Sequence, residues 1–277
     1  MKLALHFLLA AAGVLSLALP VAADDLFPDK NLEAAVRKQV FEKRNNTMPL
    51  VEADVVTISQ IESIPGKKIA NLAGLEKCKV LALIKLDNNE IVDLTPLKDL
   101  KILQSVYLSK NKIESVAPLA ELTGLQLLEI ADNKISDIAP LAKLTNMRPL
   151  DLSNNQVKDI SPLTGMTKMN ALDLVNNPIQ DFKPLAACKG LERVHLEGTG
   201  IADLSPLADL TECTWFFLQD NKITDLTVLL NMAKKDLAGQ KRFAPFIKVY
   251  LKGNPLSDAA KAQAAELKKI SEKIYLE

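Results

Sequence analysis

Residues Leu150–Leu163 read LDLSNNQVKDISPL, and the chain is periodic about them. Steps of 22 residues lead from Asn155 back to Asn133, Asn111 and Asn89, and forward to Asn177, Thr199 and Asn221. A period this strict describes a solenoid. Each unit buries its apolar face only against its neighbours, so the rest of the chain must continue the stack or cover its ends.

Apolar residues lie three, five and eight positions before each Asn, as in Met147, Leu150, Leu152, Asn155 and Leu125, Leu128, Ile130, Asn133. Alternate residues of a strand point to opposite faces. The L-x-L segments are therefore expected to form a parallel sheet, leucines inward, with the residues between them on the concave face. Parallel strands need a crossover, which the rest of each repeat supplies. There Ile91, Ile113, Ile135, Val157, Ile179, Ile201 and Ile223 form one inward column. Pro96, Pro118, Pro140, Pro162, Pro184 and Pro206 each precede a Leu and suit the first position of short helical turns. The repeated Asn offers donors and an acceptor to backbone groups turned inside by the bend, and Thr199 is expected to loosen that ladder locally. Three residues before the prolines stand Asp93, Asp137, Asp159, Asp181 and Asp203, with Ser115 substituting once. One carboxylate per coil is a poor Ca²⁺ cage, so turn capping is the expected role and no metal is implied.

The ends read differently. Residues 1–23 have a basic start, an apolar run and small residues before Asp24, as in a secretory signal peptide; this implies a secreted or periplasmic protein. Residues 24–60 read as a helical N-terminal cap, with Asp29 as helix N-cap and a Leu32, Val36, Val40 stripe. The repeats run over 61–256. They are interrupted after Leu229, where the next Asn is Asn254, and the extra residues fall at about 232–242. Residues 257–277 read as a C-terminal capping helix with Ser257 as cap and Ala260, Ala264, Leu267, Ile270 and Ile274 buried. Cys78, Cys188 and Cys213 fall in apolar columns and read as buried hydrophobes rather than disulfide partners.

Little in the inventory supports chemistry. The basic and acidic residues balance at 34 each, which gives no electrostatic footprint for nucleic acid. His195 is the one histidine after residue 23, and Ser109 and Ser153 lie several coils from it. No zinc-ligand spacing or phosphate loop is present. The chain reads as no enzyme and as needing no cofactor.

What remains is the concave face. Its central row is Lys85, Tyr107, Glu129, Asp151, Asp173, His195, Phe217, Tyr250. A second row includes Pro149, Ala171, Arg193, Trp215 and Lys248. The last coils thus gather Arg193, His195, Trp215, Phe217 and Tyr250, residue types enriched in binding hot spots. Asp173, Tyr107 and Lys248 complete the candidate set. The inserted stretch either leaves Trp215 open or folds over it. Pro149 is an oddity in an internal strand, because it removes a donor.

The motif L-x-x-L-x-L-x-x-N-x-I-x-D-L-x-P-L, on the 22-residue SDS22-type period, resembles the internalin family of bacterial leucine-rich repeat proteins. The start LFPDKNLEAAV resembles that family's helical cap. The resemblance implies an α/β leucine-rich repeat solenoid, a horseshoe with helical N- and C-terminal caps, and a role in binding another protein. The expected protein is a monomer that recognises its partner through the concave sheet. The alternative is a glycan of the cell wall, stacked on the same aromatics.

Overall fold

The computed structural model describes residues 25–62, 66–239 and 243–277. The segment read as a signal peptide, and residues 240–242 of the inserted stretch, lie outside the described residues. Ten short strands form one parallel sheet in chain order. They are β1 Gln60–Glu62, β2 Leu83–Lys85, β3 Ser105–Tyr107, β4 Leu127–Glu129, β5 Pro149–Asp151, β6 Ala171–Asp173, β7 Arg193–His195, β8 Trp215–Phe217, β9 Lys248–Tyr250 and β10 Ile274–Tyr275. The register joins residues one period apart, Leu150 to Leu172 and Asp151 to Asp173, so equivalent positions line up in straight rows. The sheet stays open, as a horseshoe solenoid requires.

The inward columns form one continuous core: Leu86, Leu108, Ile130, Leu152, Leu174, Leu196 and Leu218 are wholly buried. The Asn ladder supplies the polar side of the bend. Asn155 is buried; its Oδ1 accepts from Ile135 N of the preceding coil at 3.0 Å, and its Nδ2 donates to Leu152 O at 2.9 Å and Ile130 O at 3.1 Å. Asn89, Asn111, Asn133, Asn177, Asn221 and Asn254 repeat the pattern. Thr199 breaks it less than expected. Its hydroxyl donates to Leu196 O at 2.8 Å, and the N–H it cannot accept, that of Ile179, bonds to Asn177 O at 2.9 Å across Pro178. The loosening is one residue deep: Ile179 is 8% exposed, whereas Val157 and Ile201 are at 0%.

The residue before each Asn holds a positive φ, in Asn88, Lys110, Asp132, Asn154, Asn176 and Asp220, with Gly198 and Gly253 in the same column. This left-handed step turns the chain from strand to crossover, and each non-glycine there carries backbone strain.

The crossovers contain 3₁₀ turns such as Thr95–Leu97 and Ala139–Lys143. Each Pro stands second in its turn rather than first; at either position the missing N–H would have had no intrahelical partner. The Asp column caps these turns: the carboxylates of Asp93, Asp137, Asp159 and Asp203 each accept from the backbone N–H two residues on, at 2.8 Å.

At the start, helix α1 (Lys30–Arg37) buries Leu32, Ala35 and Val36, and α2 (Glu52–Val55) follows as a single turn. Asp29 does more than cap α1. One oxygen accepts from Asn31 N and Leu32 N, and the other from Ala70 N and Asn71 N of the first coil, at 2.8 and 3.1 Å. Burial pushes this carboxyl up, yet the four N–H groups outweigh it and hold it below the usual range.

After β8 the crossover lengthens into helix α3 (Thr227–Ala238), which packs on helix α4 (Asp258–Ile270). The closing helix is shorter than the sequence suggests. It ends at Ile270, and Ile274, buried but not helical, opens β10 and pairs with Val249 of β9. Ser271 caps the change by donating from Oγ to Ile247 O at 2.8 Å. The three cysteines are free and buried. Burial pushes the Cys78 and Cys213 thiols up to about 12 and Cys188 up to about 11, which keeps them protonated and inert.

Candidate functional site

In-register parallel strands lie about 4.8 Å apart, close to the stacking distance of aromatic rings, so a row of aromatics on such a sheet forms a ladder. The concave face contains one. His195 stacks on Phe217 with centroids 3.8 Å apart, Phe217 on Tyr250 at 4.6 Å, and Tyr250 on Tyr275 at 4.7 Å. Trp215 lies alongside, 5.9 Å from Phe217, with the Lys248 ammonium 3.2 Å above its ring. The structure thus brings together Arg193, His195, Trp215, Phe217, Tyr250, Lys248 and Asp173. Tyr107 stands apart on β3, with Lys85 Nζ 5.5 Å from its ring centroid.

Tyr275 joins the site without having been expected there, because it lies 25 residues after Tyr250, off the 22-residue period. The signal was local: Ile274-Tyr275-Leu276 repeats Val249-Tyr250-Leu251.

His195 stands between two carboxylates. Its Nδ1 lies 3.0 Å from Glu197 Oε1, and its Nε2 lies 3.7 Å from Asp173 Oδ1. Arg193 Nη2 approaches Asp173 Oδ2 at 3.7 Å. Three buried side-chain oxygens here have no hydrogen-bond partner among the described residues: Asp173 Oδ1, Glu197 Oε2 and Gln219 Oε1. Burial raises the Asp173 carboxyl above its usual range; His195 and Arg193 pull against the rise, while Asp151 and Glu197 add to it. Glu129 is raised by burial and then by Asp151, Asp87 and Asp173.

A raised carboxyl means that the folded state holds its proton more tightly than the unfolded chain. Its ionisation therefore opposes folding above the folded pKa, and the penalty fades as pH falls to the ordinary carboxylate range. Glu129→Gln should raise the melting temperature at pH 7 and lose that advantage near pH 4. The gain should stay under about 1 kcal/mol because the group is partly solvated. Thermal melts across pH check it; a gain that grows toward acid refutes the assignment.

The inserted stretch leaves Trp215 open over its described residues. Asp236 on α3 accepts from Phe243 N and Ala244 N at 3.1 and 2.8 Å, and Phe243 packs edge-on against Phe216, on the inward side of β8. The lining of the shallow groove beside the rings comes from the strands and the residues just before them, with none from the described part of α3. That groove, about 610 Å³, runs along the upstream edge of the strands between Trp215 and Arg148, with Pro149 and Ala171 in its lining.

Pro149 fits without disruption. In other coils a single carbonyl accepts two N–H groups from the next strand: Gln104 O takes Gln126 N at 2.9 Å and Leu127 N at 3.0 Å. At Gln126 O only Arg148 N remains, at 2.8 Å, so Pro149 removes the redundant bond.

A second groove, about 660 Å³, lies on the N-terminal cap between Phe41 and Thr57; Glu42 and Asp54 are in its lining, and Asp54 is paired with Lys43 at 2.6 Å. Among the described residues no cluster of His, Cys, Asp or Glu is arranged to hold a metal ion, and no helix is long and apolar enough to cross a membrane.

A family model described as Leucine Rich repeats matches residues 103–143, 123–165 and 145–187. No curated protein matches the chain. Among solved structures, internalin C2 from Listeria monocytogenes superposes with a TM-score of 0.63 at 29% identity, over 91% of this chain and 95% of that one. A leucine-rich repeat protein from Leptospira interrogans shares the fold, with a TM-score of 0.55 at 18% identity over 76% of this chain and 64% of that one.

Proposed function

Because this chain is an internalin-like leucine-rich repeat protein, a fold that typically serves as a protein-interaction module, we propose that it binds another protein through the concave face of its C-terminal half. The observation that carries the reading is the aromatic ladder from His195 to Tyr275, flanked by the half-exposed Trp215. Trp215, Phe217 and Tyr250 act as apolar anchors, and Arg193 and His195 as polar contacts. The scaffold holds them rigid, so little side-chain entropy is lost on association.

The ladder also argues for protein over glycan. A sugar stacks on a ring face, but both faces of Phe217 and of Tyr250 are occupied by neighbouring rings, and Lys248 covers one face of Trp215. What the row offers a partner is ring edges, which suit apolar side chains. The reading is of a binding module and not of an enzyme, acting as a monomer outside the cytoplasm after removal of residues 1–23.

Capture from the envelope and medium of the source organism tests it. Trp215→Ala should weaken the captured complex by about 2 kcal/mol, roughly thirtyfold, while Glu121→Ala in a solvent-exposed crossover leaves it unchanged. Retention of the partner by Trp215→Ala would overturn the reading.

A further inference from the structure

The central row divides into an acidic stretch followed by an aromatic one. Glu129, Asp151 and Asp173 take the same register position on three successive strands, whose backbones run about 4.8 Å apart, so the three carboxylates are neighbours in one row. The flanking concave positions on β4 to β6 and just beyond are Leu127, Ala131, Pro149, Ser153, Ala171 and Val175, none of them basic and most of them small. Among the described residues no cation pairs with Glu129 or Asp151, and Asp173 reaches Arg193 and His195 only at 3.7 Å. One and two coils further on, the unpartnered oxygens of Glu197 and Gln219 join that of Asp173. A stretch of this kind repels itself when empty and is relieved when positive charge enters. The raised Glu129 and Asp173 carboxyls express that self-repulsion together with their burial. The small neighbours leave the row accessible to a long side chain.

Resting on the concave-face reading above, we propose that the bound protein is a basic segment of polypeptide, which lays arginine or lysine side chains over Glu129, Asp151 and Asp173 and its apolar side chains against the ring edges at Phe217 and Tyr250. Arginine suits the site better than lysine, because its planar fork of five N–H donors can serve several acceptor oxygens at once. The protein as a whole does not attract cations: 34 basic residues balance 34 acidic ones, so selectivity for a basic peptide would have to come from a local surface.

The test uses the full chain, with tetra-arginine and tetra-glutamate peptide amides as probes. Binding is read by calorimetry at low ionic strength and by the fluorescence of Trp215, the single tryptophan. Tetra-arginine should bind and perturb Trp215, and tetra-glutamate should not bind. The double variant Asp151→Asn/Asp173→Asn should weaken tetra-arginine roughly tenfold or more, whereas Glu114→Gln, on an exposed crossover, should not. Glu129→Gln, whose fold should be at least as stable as the parent's, provides the same readout if the double variant melts early. Equal affinity for the two peptides, absence of tetra-arginine binding, or binding indifferent to these variants overturns the proposal. The underlying reading fails separately. A captured partner lost in Trp215→Ala but held by the Asn variants and at raised salt keeps the concave face and removes the basic segment. A partner held by every variant removes the concave face itself.

Discussion

Asn155→Ala should destabilise the fold by about 3 kcal/mol, although the side chain touches no candidate binding residue. Its Oδ1 is the partner of Ile135 N, in a bend that is fully buried. The carbonyls it also serves are not left bare: Ile130 O keeps Asn133 Nδ2 at 3.0 Å, Leu152 O keeps Asn177 Nδ2 at 2.9 Å, and Ser153 O keeps Asp132 N at 2.9 Å. The cost is therefore concentrated on one orphaned buried N–H, about 1–3 kcal/mol, with the loss of three shared bonds on top. Asn155→Thr should recover little of it. Thr199 is tolerated because Ile179 N finds Asn177 O across Pro178, and the position equivalent to Pro178 in the coil of Ile135 is Lys134. Urea denaturation followed by circular dichroism measures the loss; a cost below about 1 kcal/mol would mean that the ladder is dispensable there.

Gly74→Ala should be comparably damaging, by about 2–4 kcal/mol, at the N-terminal end of the stack. Gly74 sits at φ +101°, where a side chain is strained whatever the space around it. A Cβ there would come within 2.3 Å of Leu26 O and 2.6 Å of the Phe27 ring. Phe27 is buried, and Leu26 O is backbone, so neither can swing aside. The substitution should push Leu26–Phe27 off the first coil and weaken the Asp29 bonds to Ala70 and Asn71 that fasten the cap. Hydrogen exchange at those two amides should rise well above that of the mid-stack amides; unchanged protection at Ala70 and Asn71 would refute the seating.

The rows of the concave sheet could be written down from the period alone, because in-register parallel pairing turns sequence spacing directly into spatial adjacency. The period thus sets Asp173, His195 and Phe217 side by side, and Tyr250 joins them once the extra residues before Asn254 are allowed for; it also marks the Asp column as turn caps. What the period could not carry was anything off it. Tyr275 closes the aromatic ladder from a strand reached after a helix of different length. The second role of Asp29 spans 41 residues of chain to Ala70, beyond any local pattern. The left-handed column was hidden because Lys110 and Asp132 are ordinary polar residues, and only the bend they serve makes their backbone unusual. Whether the insertion covers Trp215 depended on the direction in which α3 leaves the stack, which Phe243 decides by packing under β8 rather than over it.

The doubled acceptor at the upstream end of several strands, at Ser59, Ala82, Gln104, Asn170 and Glu192, has a bearing on how such a surface changes over generations. Because one of the two N–H groups meeting that carbonyl is surplus, the first strand residue is released from its duty to the ladder, and even proline is admitted, as at Pro149. At that row the full alphabet of twenty side chains is open to selection for recognition without a matching loss in the scaffold. Rows further along the strand, where each amide is needed, draw from a shorter alphabet. New specificities should therefore arise first along the line of Leu127, Pro149, Ala171, Arg193 and Trp215.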